Sequence, residues 1–160
     1  MSLKSSGVQA MQHECSIIAK HSRYEAAIRD YEKSKELDPN DDNYYNQAIC
    51  LLYLGRYEEA INNLNKAIEL NPNAASRYYH KGQCLYKLKR LEEAIASYDN
   101  AINLRPKDAK AYNNKGKCLY ELGRLEESRI ALEKAVKLRP YYGIANHNRN
   151  ILNRKARKAI

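Results

Sequence analysis

Residues 75–106 read ASRYYHKGQCLYKLKRLEEAIASYDNAINLRP, and 34 residues later the chain reads AKAYNNKGKCLYELGRLEESRIALEKAVKLRP. Tyr, Lys-Gly, Cys-Leu-Tyr, Leu-Glu-Glu and Leu-Arg-Pro agree in register between the two. A chain that copies itself at this period builds its core by stacking, because one unit cannot bury its apolar face alone. Four units are traced, over residues 8–40, 41–74, 75–108 and 109–142. A polar lead-in without periodicity precedes them over 1–7 and is expected to be disordered. Residues 143–160 follow them, and the whole forms one domain.

Each unit holds two apolar-periodic stretches of about 14 residues, the pattern of an amphipathic helix pair. Tight breaks divide them at His21-Ser22-Arg23, Gly55-Arg56, Lys89-Arg90 and Gly123-Arg124. Glycine suits a helix end that needs positive φ. Ser22 and Lys89 lack that freedom and would each cost about 1 kcal/mol if the conformation is kept. The second helices open with Glu25, Glu58-Glu59, Glu92-Glu93 and Glu126-Glu127. Recurrence at every helix start marks these acids as partners of the helix dipole rather than a catalytic couple. Pro39, Pro72, Pro106 and Pro140 close the units, with Asn40, Asn73 and Asp108 as expected N-caps.

The period also names the core. Small residues recur at Ala48, Gly82 and Gly116, at Ala27, Ala60, Ala94 and Ser128, and at Ala67, Ala101 and Ala135. Large ones alternate with them at Leu51, Leu85 and Leu119, at Tyr31, Leu64, Tyr98 and Leu132, and at Leu37, Leu70, Leu104 and Leu138. Met11 and Cys15 depart from this pattern in the first unit, as expected of a cap. Cys50, Cys84 and Cys118 are one position repeated, so they read as buried thiols rather than disulfide or metal partners. That usage, and a start without an apolar signal segment, point to an intracellular and most simply cytoplasmic protein.

The net charge of +9 is uneven: residues 139–160 hold six basic residues and no acid. Ile144, Ile151, Leu152, Ala156 and Ala159 fall on one stripe at helical spacing. A basic capping helix is therefore expected over 143–160, turning Arg149, Arg154, Lys155, Arg157 and Lys158 to solvent.

This pattern resembles the tetratricopeptide repeat. The residues that carry the likeness in the third unit are Tyr78, Gly82, Ala94, Ala101 and Pro106. Glu14, Gln47, Lys81 and Lys115 depart from it where the family usually has Leu. The resemblance implies an all-α solenoid of antiparallel helix pairs, about nine helices in a right-handed superhelix, whose first helices line a concave groove. It also implies a non-catalytic protein-binding module, an adaptor or a structural subunit that holds an extended peptide or helix, or docks by its edges.

In that register the groove-facing residues are Tyr45, Asn46, Ile49, Tyr79, His80, Gln83, Tyr86, Asn113, Asn114, Lys117, Tyr120, His147 and Asn148. Asn46, Asn114 and Asn148 resemble the asparagine ladder of the O-linked N-acetylglucosamine transferase repeats, with His80 interrupting it. Amides at repeat spacing can hydrogen-bond the backbone of an extended chain. The cation pairs of the family's carboxylate clamp are missing, so tight binding of acidic chaperone tails is not expected. His80 and Cys84 share ligand spacing, but no third ligand is aimed at them, and no metal or cofactor is expected. Nucleic-acid or acidic-surface binding by the basic last helix is the alternative, weakened by the absence of interleaved aromatics.

Overall fold

The computed structural model describes residues 3–158, with side chains described from 19 to 154. The elements are α1 (Leu3–Leu37), α2 (Asp41–Tyr53), α3 (Tyr57–Leu70), α4 (Ala75–Lys87), α5 (Leu91–Leu104), α6 (Ala109–Glu121), α7 (Leu125–Leu138) and α8 (Gly143–Lys158). Eight helices and no strand occur among the described residues. The pairs α2/α3, α4/α5 and α6/α7 are the repeated unit, and each stacks on the next.

The turns between paired helices fall where the sequence puts them. Gly55 and Gly123 adopt φ of 77°, and Lys89 adopts the same left-handed region at 61° without glycine's freedom. Arg56, Arg90 and Arg124 then donate their backbone N–H to Leu51, Leu85 and Leu119, each at 2.9 Å, closing three equivalent turns. Asn40 caps α2 through Asn43 N–H at 2.9 Å, and Asp108 caps α6 through Lys110 N–H at 2.9 Å. Asn73 does not cap α4; Ala74 holds that place and offers no side-chain bond.

The first unit differs from its sequence reading. No turn forms at His21-Ser22-Arg23, and α1 runs through it as one helix of 35 residues. Ser22 escapes the left-handed penalty by staying helical, which is why eight helices stand where about nine are expected. The helix also takes in Leu3–Gly7, where a disordered lead-in is expected; adding residues to a formed helix costs little compared with nucleating one. The side chains of Met11 and Cys15 lie outside the described residues.

Small residues face large ones across every pair. Ala48 and Ala60 are fully buried beside Leu51 and Leu64, and Tyr98, Leu85, Leu119 and Leu132 are at most 1% exposed. Burying a side chain of this size contributes about 1.5–3 kcal/mol. Gly82 sits so close to Tyr98 that a Cβ there would lie 2.7 Å from the ring, and Gly116 stands likewise against Leu132 at 2.8 Å. Leu37, Leu70 and Leu104, expected in this core, are instead 89%, 54% and 41% exposed at the last turns of their helices.

Two polar departures from the apolar pattern are paired with the preceding helix. Buried Gln47 accepts from Lys35 and donates to Glu32 at 3.3 Å, while Lys115 pairs with Asp99 at 2.5 Å. The paired acids form a ladder as well as facing the helix dipole. Arg90 grips Glu93 of its own helix at 2.6 Å and reaches Glu58 of the previous unit at 3.4 Å. Arg56 with Glu59 and Glu25, and Arg124 with Glu127 and Glu92, repeat the arrangement.

Curvature follows from which helices meet. The first helices touch in sequence, α2 with α4, α4 with α6 and α6 with α8, whereas α3, α5 and α7 make no approach to one another within 8 Å between Cα atoms. The tighter row is the concave side. The last helix covers the end of the stack through Ala145 and Leu152, buried at 0% and 2%. Ile144 and Ile151, expected on that inward stripe, are 59% and 39% exposed because the contact centres one residue away from each. Ala156 and Ala159 lie outside the residues whose side chains are described.

Candidate functional site

The inner row α2, α4, α6 and α8 presents one face to solvent, and most of the expected groove residues stand on it half-buried. At its centre Asn114 donates its amide to the phenol oxygen of Tyr79 at 3.2 Å. Gln83 donates to the same oxygen at 3.4 Å from one turn along α4. Burial pushes the Tyr79 phenol up to about 12, so it stays protonated at neutral pH. The chain reaches a third helix, α8, where Asn148 donates to Asn113 at 2.9 Å and Asn113 donates to Asn114 at 3.2 Å.

Asn113 serves beneath the groove rather than in it. Only 2% of it is exposed, and both ends of its amide are used by neighbouring asparagines. The expected asparagine series, Asn46, Asn114 and Asn148, does not include Asn113, and all three of its members are half-buried on the inner row. Asn114 and Asn148 are anchored to neighbours, while Asn46 lies half-buried on α2.

His80 is held from three sides. Its ring meets Tyr45 and Tyr79 edge-on, at centroid distances of 5.6 and 5.2 Å. Nδ1 lies 2.7 Å from the Ser76 carbonyl and 3.3 Å from the Tyr45 hydroxyl. A carbonyl only accepts, so Nδ1 carries the proton and Nε2 keeps its lone pair as an acceptor in the neutral ring. Burial holds the imidazole below its usual range, with the Ser76 bond opposing that shift. Arg77 packs 4.5 Å from the Tyr45 ring centroid and pairs with Asp41 and Asp42 at 2.9 and 2.6 Å, fixing the start of the α2–α4 contact.

Further along, Lys117 lies 4.8 Å from the centroid of the Tyr86 ring. The Tyr86 hydroxyl donates to Glu121, which Lys89 holds at 2.7 Å. A cleft of about 140 Å³ opens here, lined by Gln83, Tyr86, Lys87, Tyr98, Asn114 and Lys117. A second, of about 220 Å³, lies between α6 and α8, where Tyr120 and Ile151 are among the walls. Ile49 is half-buried on α2 and His147 is exposed on α8, away from the central cluster.

Of the expected basic face, Arg154 is exposed and Arg149 half-buried. The side chains of Lys155, Arg157 and Lys158 lie outside the described residues. Cys50, Cys84 and Cys118 are buried free thiols, and burial pushes the last two up to about 12, so they are not thiolate nucleophiles at neutral pH. Among the described residues no group of three or more His, Cys, Asp or Glu could hold a metal ion. No helix among them is long and apolar enough to cross a membrane.

The family model of the tetratricopeptide repeat matches residues 45–108 and 93–143, and a second model of the same repeat matches 22–41. No curated protein matches the sequence significantly. Among solved structures, the crystal structure of MamA is similar at a TM-score of 0.80 and 25% identity, covering 83% of this chain and 78% of that one. YrrB, a tetratricopeptide protein described as having an unusual peptide-binding site, is similar at 0.75 and 26%, covering 81% and 67%. The first such domain of Spaghetti (RPAP3), bound to the HSP90 peptide SRMEEVD, shares the fold at 0.71 and 20%, covering 74% and 94%.

Proposed function

This chain belongs to the tetratricopeptide repeat family, and from that premise we propose that it is a non-catalytic protein-binding module whose concave groove holds a segment of a partner protein. The observation that carries the reading is the central cluster of Tyr45, Tyr79, His80, Gln83 and Asn114. These side chains are half-buried, linked by hydrogen bonds across three inner helices, α2, α4 and α6, and turned to the open face. Pre-organised amides, phenols and an imidazole acceptor lose little freedom when they meet a peptide backbone, which offers one donor and one acceptor per residue.

The similarity to YrrB, described as having an unusual peptide-binding site, supports the same reading. Reduced, buried cysteines fit a reducing compartment, and we place the protein inside the cell. On this reading the protein acts as an adaptor or as a structural subunit of a larger assembly.

A photoreactive amino acid placed at Tyr79, and separately at Ile130 on the outer helix α7, tests the groove in extracts of the source cells. Crosslinks to a defined protein from position 79 and not from 130 are expected. Crosslinks from 130 alone would overturn the groove and leave docking through the outer surface. The size at which the endogenous protein elutes from nuclease-treated extract then separates a transient adaptor from a permanent subunit.

A further inference from the structure

Charge is sorted between the two rows of helices. The inner helices α2, α4, α6 and α8 carry eleven Lys or Arg against three acids, Asp41, Asp42 and Glu121, whereas α3, α5 and α7 carry nine acids against four bases. The outer acids are largely consumed by the Arg56, Arg90 and Arg124 ladder. The inner acids are also consumed, because Asp41 and Asp42 pair with Arg77 and Glu121 is tied to Lys89 and to the Tyr86 hydroxyl. Among the described residues, Lys87, Lys110 and Lys117 have no carboxylate within ion-pair distance. The groove therefore faces solvent with unneutralised positive charge over its C-terminal half.

The cleft beside Tyr86 concentrates this charge. Lys87 and Lys117 line it with the amides of Gln83 and Asn114 and the rings of Tyr86 and Tyr98, and no acid takes part. Such a site supplies donors and cations to an incoming carboxylate and leaves a neutral or cationic side chain unmatched. Resting on the groove reading above, we propose that the occupant is an acidic, extended segment of a partner protein. One of its Glu or Asp side chains seats between Lys87 and Lys117, beside Gln83 and Asn114. The site differs from a clamp on a chain's terminal carboxylate: it takes a side chain, so the segment can lie anywhere in the partner.

Fluorescence anisotropy of the full chain with two labelled, C-terminally amidated peptides tests this. One alternates glycine with glutamate, the other glycine with glutamine. The glutamate peptide is expected to bind at least about tenfold more tightly, with the preference shrinking as salt rises. The double variant Lys87→Gln, Lys117→Gln removes the preference, while Lys134→Gln, Lys137→Gln on outer helix α7 leaves it; circular dichroism confirms that both fold. Equal loss in both double variants would reduce the effect to net charge and overturn the pocket. Equal saturable binding of the two peptides by the unmodified chain would overturn the acidic occupant while the groove stands. Failure to bind either peptide also overturns the acidic occupant, and the position 79 crosslink then decides the groove independently.

Discussion

The side-chain amide of Asn114 donates to the phenol oxygen of Tyr79 at 3.2 Å, joining the inner helices of two successive units at the centre of the concave face. The bond sets the orientation of both groups that a bound peptide would meet. Removing its acceptor in Tyr79→Phe leaves the ring packed against Tyr98 and His80 but the Asn114 donor short of a partner. A loss of about 1 kcal/mol is expected in urea denaturation. The amount of partner that co-purifies with the Tyr79→Phe chain should fall more than this stability change explains.

Gly82 admits no side chain while Tyr98 faces it. Gly82→Ala places a Cβ 2.7 Å from the Tyr98 ring and should cost about 1–3 kcal/mol through overpacking. The second unit solves the same contact with Ala48 beside Leu64, both fully buried. The double substitution Gly82→Ala, Tyr98→Leu should therefore recover much of the loss. A double-mutant cycle showing simple additivity would refute the pairing.

Lys89 stands in the left-handed region at φ 61°, where its two counterparts are glycines. Lys89→Gly should relieve about 1 kcal/mol of backbone strain. The ion pair to Glu121 that it gives up is exposed on the lysine side, at 70%, and worth less than the strain. Thermal unfolding should rise by a few degrees. The opposite change, Gly123→Ala at φ 77°, should lower it.

His80 makes stability depend on pH. Burial lowers its folded-state pKa below the ordinary 6.5, so the unfolded chain binds a proton first as pH falls. The stability this residue contributes is complete above about 6.5 and is lost as pH drops from there toward the folded value. Below that value both states are protonated and the slope ends. His80→Asn, which copies the residue found at Asn46 and Asn114, should flatten the decline seen between neutral and mildly acidic pH in denaturant titrations. An unchanged slope would assign the dependence to other groups.

The repeat period legibly placed α2 through α8 and their turns, because Gly55, Lys89 and Gly123 fall at one register position. The same register put a break at His21-Ser22-Arg23, and there it failed: without glycine a left-handed turn is strained, and the chain continues as one helix instead. Periodicity likewise assigned Asn113 to the groove, since a residue on the boundary between two faces is decided by its neighbours. Asn114 and Asn148 both find it from the side and draw it under the surface. The arginine ladder was invisible for a different reason. Its contacts, Arg90 to Glu58 among them, join residues about one repeat apart, and only the stacking geometry brings them together.

The inner helices touch along their row while the outer helices stay apart. Under load such a coil flexes about its inner row, as a bent beam does about its neutral axis. Spacing along that row stays nearly constant while the outer gaps open and close, with the Arg–Glu ladder acting as the limiting tether. The inner face is therefore the part of the stack whose spacing changes least when the whole is bent.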